Sequence, residues 1–166
     1  MKTPSRFRSV PPLFPFVALL SLAATAFSTE PYRVGSTVAA FSAKDQFGAP
    51  FKLDGSYRAL LISFDMETGK QANVKLSALG KDFLPQHRAV YVANIDGMPA
   101  IGRAFALPKM RKYSHRIVLA DSLSLLAPFP KQERRVTVLS LRQGKVTGIR
   151  YWDPATEEPA KVLGGK

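Results

Sequence analysis

The chain has 166 residues, no cysteine, and 24 lysines and arginines against 12 acidic residues, a formal charge of +12. That length leaves room for one domain with a substantial core once a leader is set aside. The missing cysteines exclude disulfides, thiolate zinc sites and thiol chemistry, and no stretch reaches the ~20 consecutive apolar residues of a membrane span.

Residues 1–26 read as a secretory signal peptide. Lys2, Arg6 and Arg8 form a basic head, no acid precedes Glu30, and an apolar segment is densest from Phe16 to Phe27. Ala24-Thr25-Ala26 offers small residues at the spacing a signal peptidase reads, so cleavage is expected near Ala26. Residues 27–33 then form a linker and 34–166 the mature domain, periplasmic or secreted, with no transmembrane span. Removing the leader's cations lowers the charge from +12 to +9. An exported basic domain seldom meets nucleic acid, so an anionic envelope component or another protein is the expected partner.

In chain order, Ser36–Phe41 is a short strand candidate, followed by a turn at Asp45-Gln46-Phe47-Gly48 and a second strand at Phe51–Leu53. Asp54-Gly55 marks the next turn. Ala59–Phe64 is an apolar run broken only by Ser63, the pattern of a strand covered on both faces. Ala72, Leu76, Leu79 and Phe83 then recur at helical spacing, with Lys70, Asn73, Lys75, Ser77 and Lys81 opposite. Thr68 is the expected N-cap of that helix and Pro85 its limit. Ala89–Ile95 is a second buried strand ending at Asp96-Gly97. Pro99 opens a helix carrying Ile101, Phe105 and Leu107, which Pro108 is expected to stop. Arg116–Ala120 is a third strand and Ser122–Ala127 a short helical segment. Val136–Leu141 pairs with Lys145–Tyr151 through Arg142-Gln143-Gly144-Lys145, a hairpin signal. Asp153 and Pro154 start a last short helix. The order predicts an α/β sandwich with a mixed central sheet and an N-terminal β-hairpin.

Several segments resemble one superfamily. Val34–Phe41 through Asp45–Gly48 resembles the opening of redoxin and peroxiredoxin domains, and Val92-Ala93-Asn94-Ile95-Asp96 with Pro99 and Phe105 is similar to the second strand and following helix of thioredoxins. His115–Asp121 resembles the aspartate-ended strand that redoxins insert before their last hairpin, and Arg134–Trp152 resembles that hairpin. The likeness runs from Val34 to Trp152 and implies a thioredoxin-like three-layer sandwich. Two departures accompany it. The redox position, Gly69-Lys70-Gln71-Ala72, lacks the Cys-x-x-Cys of the superfamily, and Arg135-Val136 stands where a cis-proline precedes the fourth main strand. The pattern Asn94–Phe105, the basic connector and the absent cysteines are most similar to the YtfJ type of exported bacterial proteins.

Thiol exchange needs a thiolate at a helix start, and neither Thr68 nor Lys70 replaces it. Asp65, Asp96 and Asp121 each fall at the carboxyl end of a predicted strand, where open α/β sheets place ligands, and Glu67 lies near Asp65. Asp65, Glu67 and Asp96 are the residues a metal-assisted hydrolase would use, which is one alternative reading. Aspartates are also ordinary turn and cap residues, and that reading is preferred; no metal or cofactor is expected. His87 and His115 lack ligand-spaced neighbours and are expected at the surface. Trp152 is expected to pack under the tail. Between Gly97 and Ala120 the charged residues are Arg103, Lys109, Arg111, Lys112 and Arg116, without an acid, and Arg134 and Arg135 add to them near the closing hairpin. This basic set is the strongest binding signal. The sequence thus points to an exported, non-redox domain that works by binding; an inactive docking partner of a thiol oxidoreductase is a further alternative.

Overall fold

The computed structural model describes residues 30–164, so the signal-peptide segment and its cleavage position lie outside the described residues. The elements are β1 (Ser42–Asp45), β2 (Pro50–Lys52), β3 (Ala59–Ser63), α1 (Met66–Ala78), α2 (Phe83–Gln86), β4 (Ala89–Asn94), α3 (Ala100–Met110), β5 (Ile117–Ala120), α4 (Leu123–Leu126), β6 (Val136–Arg142), β7 (Lys145–Trp152) and α5 (Pro159–Leu163). They build one seven-stranded sheet in the order β2-β1-β5-β4-β3-β6-β7. Strands β5, β4 and β3 run parallel, joined by helical crossovers, and the flanking pairs are antiparallel. Every residue of β3 and of β5 is buried, as their unbroken apolar runs require.

Alternation within those strands divides the core between two faces. Leu60, Ile62, Val90, Val92, Val118 and Leu139 point to a cluster closed by Phe51, Leu126 and Phe129. Leu61, Tyr91, Ile117 and Val138 point the other way, under Ala72 and Leu76 of α1, with Trp152 and the half-buried Leu107 and Met110 of α3. Both clusters are continuous along the sheet. The closing hairpin turns through Gln143 and Gly144, with φ of 51° and 76°, the pair of left-handed positions a two-residue turn needs.

Four elements differ in their bounds from the sequence expectation. The first strand is Ser42–Asp45 rather than Ser36–Phe41. Gly35–Val38 instead hydrogen-bonds along the outer edge of the last strand, with Val38 N–H donating to Gly144 O at 2.9 Å, so it covers a sheet edge. Helix α1 begins at Met66, three residues before the position expected from a Thr68 cap, because Asp65 supplies the cap. It ends at Ala78, where Gly80 adopts φ +84°, so Leu79 and Phe83 fall beyond it. Helix α3 runs through Pro108 to Met110, and Arg111 N–H resumes the ladder on Leu107 O at 3.0 Å. The last helix opens at Pro159, not Pro154, and an ion pair between Lys75 and Glu158 ties its start to α1.

Candidate functional site

Helices α1 and α3 diverge above the carboxyl ends of β3 and β4 and leave a groove of about 430 Å³. Met66 and Gly69 form one wall, Phe105, Ala106 and Met110 the other, and Ser63, Asn73 and Asn94 lie at its base. Lys70 and Lys109 stand on opposite rims. Methionine and aromatic side chains of this kind make an adaptable apolar surface. It lies at the carboxyl ends of parallel strands, where open α/β sheets hold their ligands.

Below the groove lies a buried polar row. Ser63 Oγ and Tyr91 Oη are 2.7 Å apart, and the tyrosine hydroxyl donates to Gly69 O at 3.4 Å. Gly69 lets α1 approach closely here: a Cβ at that position would stand 3.3 Å from Ser63 Oγ, a tight contact, and 3.5 Å from the phenol oxygen. The Tyr91 ring meets His115 edge-on, with centroids 5.8 Å apart, and His115 Nε2 lies 3.0 Å from Asn73 Oδ1. Burial pushes the Tyr91 phenol far up, and burial pushes His115 down to about 4. His115 Nδ1 has no hydrogen-bond partner among the described residues. The expectation that His115 is a surface residue is therefore corrected: it is 2% exposed, held under α1 by residues distant in the chain. His87 is half-buried, its Nδ1 2.8 Å from Phe83 O.

The superfamily's redox quartet maps onto the second turn of α1. Gly69 and Ala72 face the sheet and are buried, Lys70 is exposed on the rim, and Gln71 is half-buried. No peptide bond among the described residues is cis; ahead of β6 Arg134 instead takes φ +57°. Asp65 Oδ1 accepts the Thr68 N–H at 2.8 Å, so this carboxylate caps α1. Glu67 pairs with Lys70 across 3.6 Å on the surface. Asp96 follows β4, its N–H donating to Asn94 Oδ1 at 2.9 Å. Among the described residues no three histidine or acidic side chains gather closely enough to hold a metal ion, so Asp65, Glu67 and Asp96 do not form one. Asp65→Ala is expected to lower stability by about 1 kcal/mol in a urea titration, with Asp65→Asn near neutral because its amide oxygen still accepts. Equal losses in both would show that the charge, not the cap, matters.

The basic set divides. Arg103 turns inward and donates from Nε to Met98 O at 3.0 Å and from Nη2 to Ile95 O at 3.3 Å. Arg111 donates to Gln46 O at 2.9 Å. Arg116 pairs with Asp45 at 3.0 Å and lies over the Phe51 ring, and Arg135 pairs with Asp153 at 2.8 Å. Asp153 is held below the usual carboxylate range, chiefly by the Ala155 N–H, with Arg135 a lesser cause. Lys109 and Lys112 are exposed, and their side chains make no hydrogen bond or ion pair among the described residues. Arg134 is exposed as well.

Sequence reasoning overlooked Met66, Met98, Met110 and Tyr113, all of which line the groove. Gly102 and Ala106, one helical turn apart, were the available signal: small residues on one side of α3 leave the space beside α1 unfilled.

No protein-family model and no curated protein matches the chain. Solved structures do. A peroxidoxin, BcpB, from Mycobacterium tuberculosis superposes with a TM-score of 0.53 at 19% identity, over 80% of this chain and 94% of that one. A putative protein disulfide isomerase from Bacteroides thetaiotaomicron gives 0.52 at 15% identity, over 80% and 86%. A putative thioredoxin from Neisseria meningitidis gives 0.53 at 12%, over 80% and 87%. At these identities the likeness is one of fold.

Proposed function

We propose, from the premise of a thioredoxin-like fold without a thiol, that the chain is an exported domain of the YtfJ type that works by binding rather than by disulfide exchange. The groove between α1 and α3 is its ligand site. The observation that carries this reading is the groove's make-up: Met66, Phe105 and Met110 on its walls, a lysine on each rim, and no thiol. Apolar walls and paired cations suit an apolar group bearing negative charge, whether part of an envelope component or an acidic segment of another protein. Lys70 is partly engaged by Glu67, which leaves Lys109 as the groove's free cation among the described residues.

Anilinonaphthalene sulfonate, an aromatic anion whose emission rises in apolar surroundings, is a suitable probe. It is expected to bind the native protein saturably, with one site, and more weakly as salt rises. Met66→Glu and Lys109→Glu alter one wall and one rim at exposed positions, and each is expected to weaken binding about tenfold while circular dichroism stays unchanged. Absence of saturable binding, or wild-type affinity in both variants, would reject the groove as the site.

A further inference from the structure

Helix α3 presents its apolar stripe to solvent. Ile101, Ala104, Phe105 and Pro108 follow the i, i+3, i+4, i+7 spacing that normally faces a core, yet all four are exposed, Ile101 by 71% and Phe105 by 68%. The opposite side carries Arg103, whose guanidinium is bonded to Met98 O and Ile95 O. No residue of α3 is fully buried. Leu107 and Met110 pack inward against the core, so the helix is apolar on both sides and the Ile101 stripe is the one left facing out.

Charge narrows what can cover it. Lys109 flanks the stripe, Lys112 follows the helix, and neither is paired among the described residues; no acid occurs between Gly97 and Ala120. A second copy of this face would set like charges against each other, and the leader is basic too. The occupant is therefore anionic. The stripe is also a single convex helix of about 16 Å, narrow for the ~800 Å² per partner of a stable protein interface. A bilayer needs no shape complement, only protruding apolar side chains beside cations that reach headgroups.

We infer that α3 is a docking surface for a membrane carrying anionic lipid, lying in the interface with Ile101 and Phe105 inserted and Lys109 and Lys112 at the headgroups. Phe105 and Lys109 are shared with the groove, but Ile101, Ala104 and Lys112 do not line it, so changes at those three positions test this surface separately.

The test is co-sedimentation of the purified protein, all variants sharing one N-terminus, with vesicles of phosphatidylglycerol and phosphatidylcholine in equal parts. Binding is expected at low salt, with loss at high salt and on vesicles of phosphatidylcholine alone. Lys112→Gln is expected to weaken it about fivefold, and Ile101→Asp with Ala104→Asp to abolish it while dye binding in the groove persists. No sedimentation at low salt, equal binding to both vesicle types, or full binding by the Ile101 and Ala104 variant would overturn the inference. Loss of dye binding with vesicle binding intact would reject only the groove.

Discussion

Replacing Trp152 by alanine is expected to cost about 4 kcal/mol of stability, the largest loss from any single substitution discussed here. Trp152 closes β7 opposite Val136, is fully buried, and packs in the cluster that holds Leu61, Ala72 and Leu76. Its indole N–H donates to Glu157 O at 3.1 Å, so the side chain also holds the tail that leads to α5. Alanine would leave a cavity bordered by the sheet and the C-terminal helix, with no nearby element free to collapse into it. Trp152→Phe keeps most of the apolar area and loses the hydrogen bond, which sets its expected cost nearer 1–2 kcal/mol. Trp152 is the only tryptophan, so urea unfolding of wild type and both variants should be followed by far-ultraviolet circular dichroism. A loss below about 1 kcal/mol for the alanine variant would mean that the tail is not anchored there.

Stability is expected to fall as pH drops from about 6.5 towards 4, and His115 is the group responsible. With Asn73 Oδ1 accepting from Nε2–H, the neutral ring leaves Nδ1 buried and without a hydrogen-bond partner among the described residues, and the Tyr91 and Tyr113 rings lie against the imidazole. Protonation would place an N–H and a charge where nothing receives them, and burial accordingly lowers the group from 6.5 to about 4. The unfolded chain takes up its proton below about 6.5 and the folded chain does not, so unfolding gains as pH falls; the contribution is complete above 6.5 and is lost on passing through 4. Its full size is about 3 kcal/mol. Carboxylates titrate in the same interval, so the decisive comparison is with His115→Phe. That variant is expected to be less pH-dependent between 6.5 and 4, whatever its absolute stability. Parallel pH profiles for the two proteins would remove His115 from the account.

Much of the architecture was legible because it is written in local patterns. The apolar runs Ala59–Phe64, Ala89–Ile95 and Arg116–Ala120 mark strands covered on both faces, and the structure places them side by side at the centre of the sheet. Gln143-Gly144 specified the closing turn by the conformations those residues tolerate. The passage from β3 into a helix carrying Gly69 and Ala72 was legible too, from the apolar run and the spacing after it. Its shape was not. Thr68 looked like a cap because threonine serves as one, but Asp65 starts the helix earlier and carries Gly69 and Ala72 inward against the hydroxyls of Ser63 and Tyr91.

The charged residues carry the same lesson from the other side. Arg103, Arg111, Arg116 and Arg135 read alike in the sequence as members of one basic stretch, yet each is bonded within the fold, while Lys109 and Lys112 are not. What separates them is a partner elsewhere in the chain: Gln46 for Arg111, Asp45 for Arg116, Asp153 for Arg135.

By itself, then, the sequence determined the parallel centre of the sheet, the hairpin that closes it, and the absence of any thiol chemistry. These depend on residue type and on spacing within a few positions. Only the tertiary structure decided that His115 is buried, that the arginines are engaged, and that the Ile101–Phe105 stripe faces out. Helical periodicity shows that a helix has two unlike sides; which side faces the core depends on what the fold brings against it, as Asn73 is brought to His115 across 42 positions of chain.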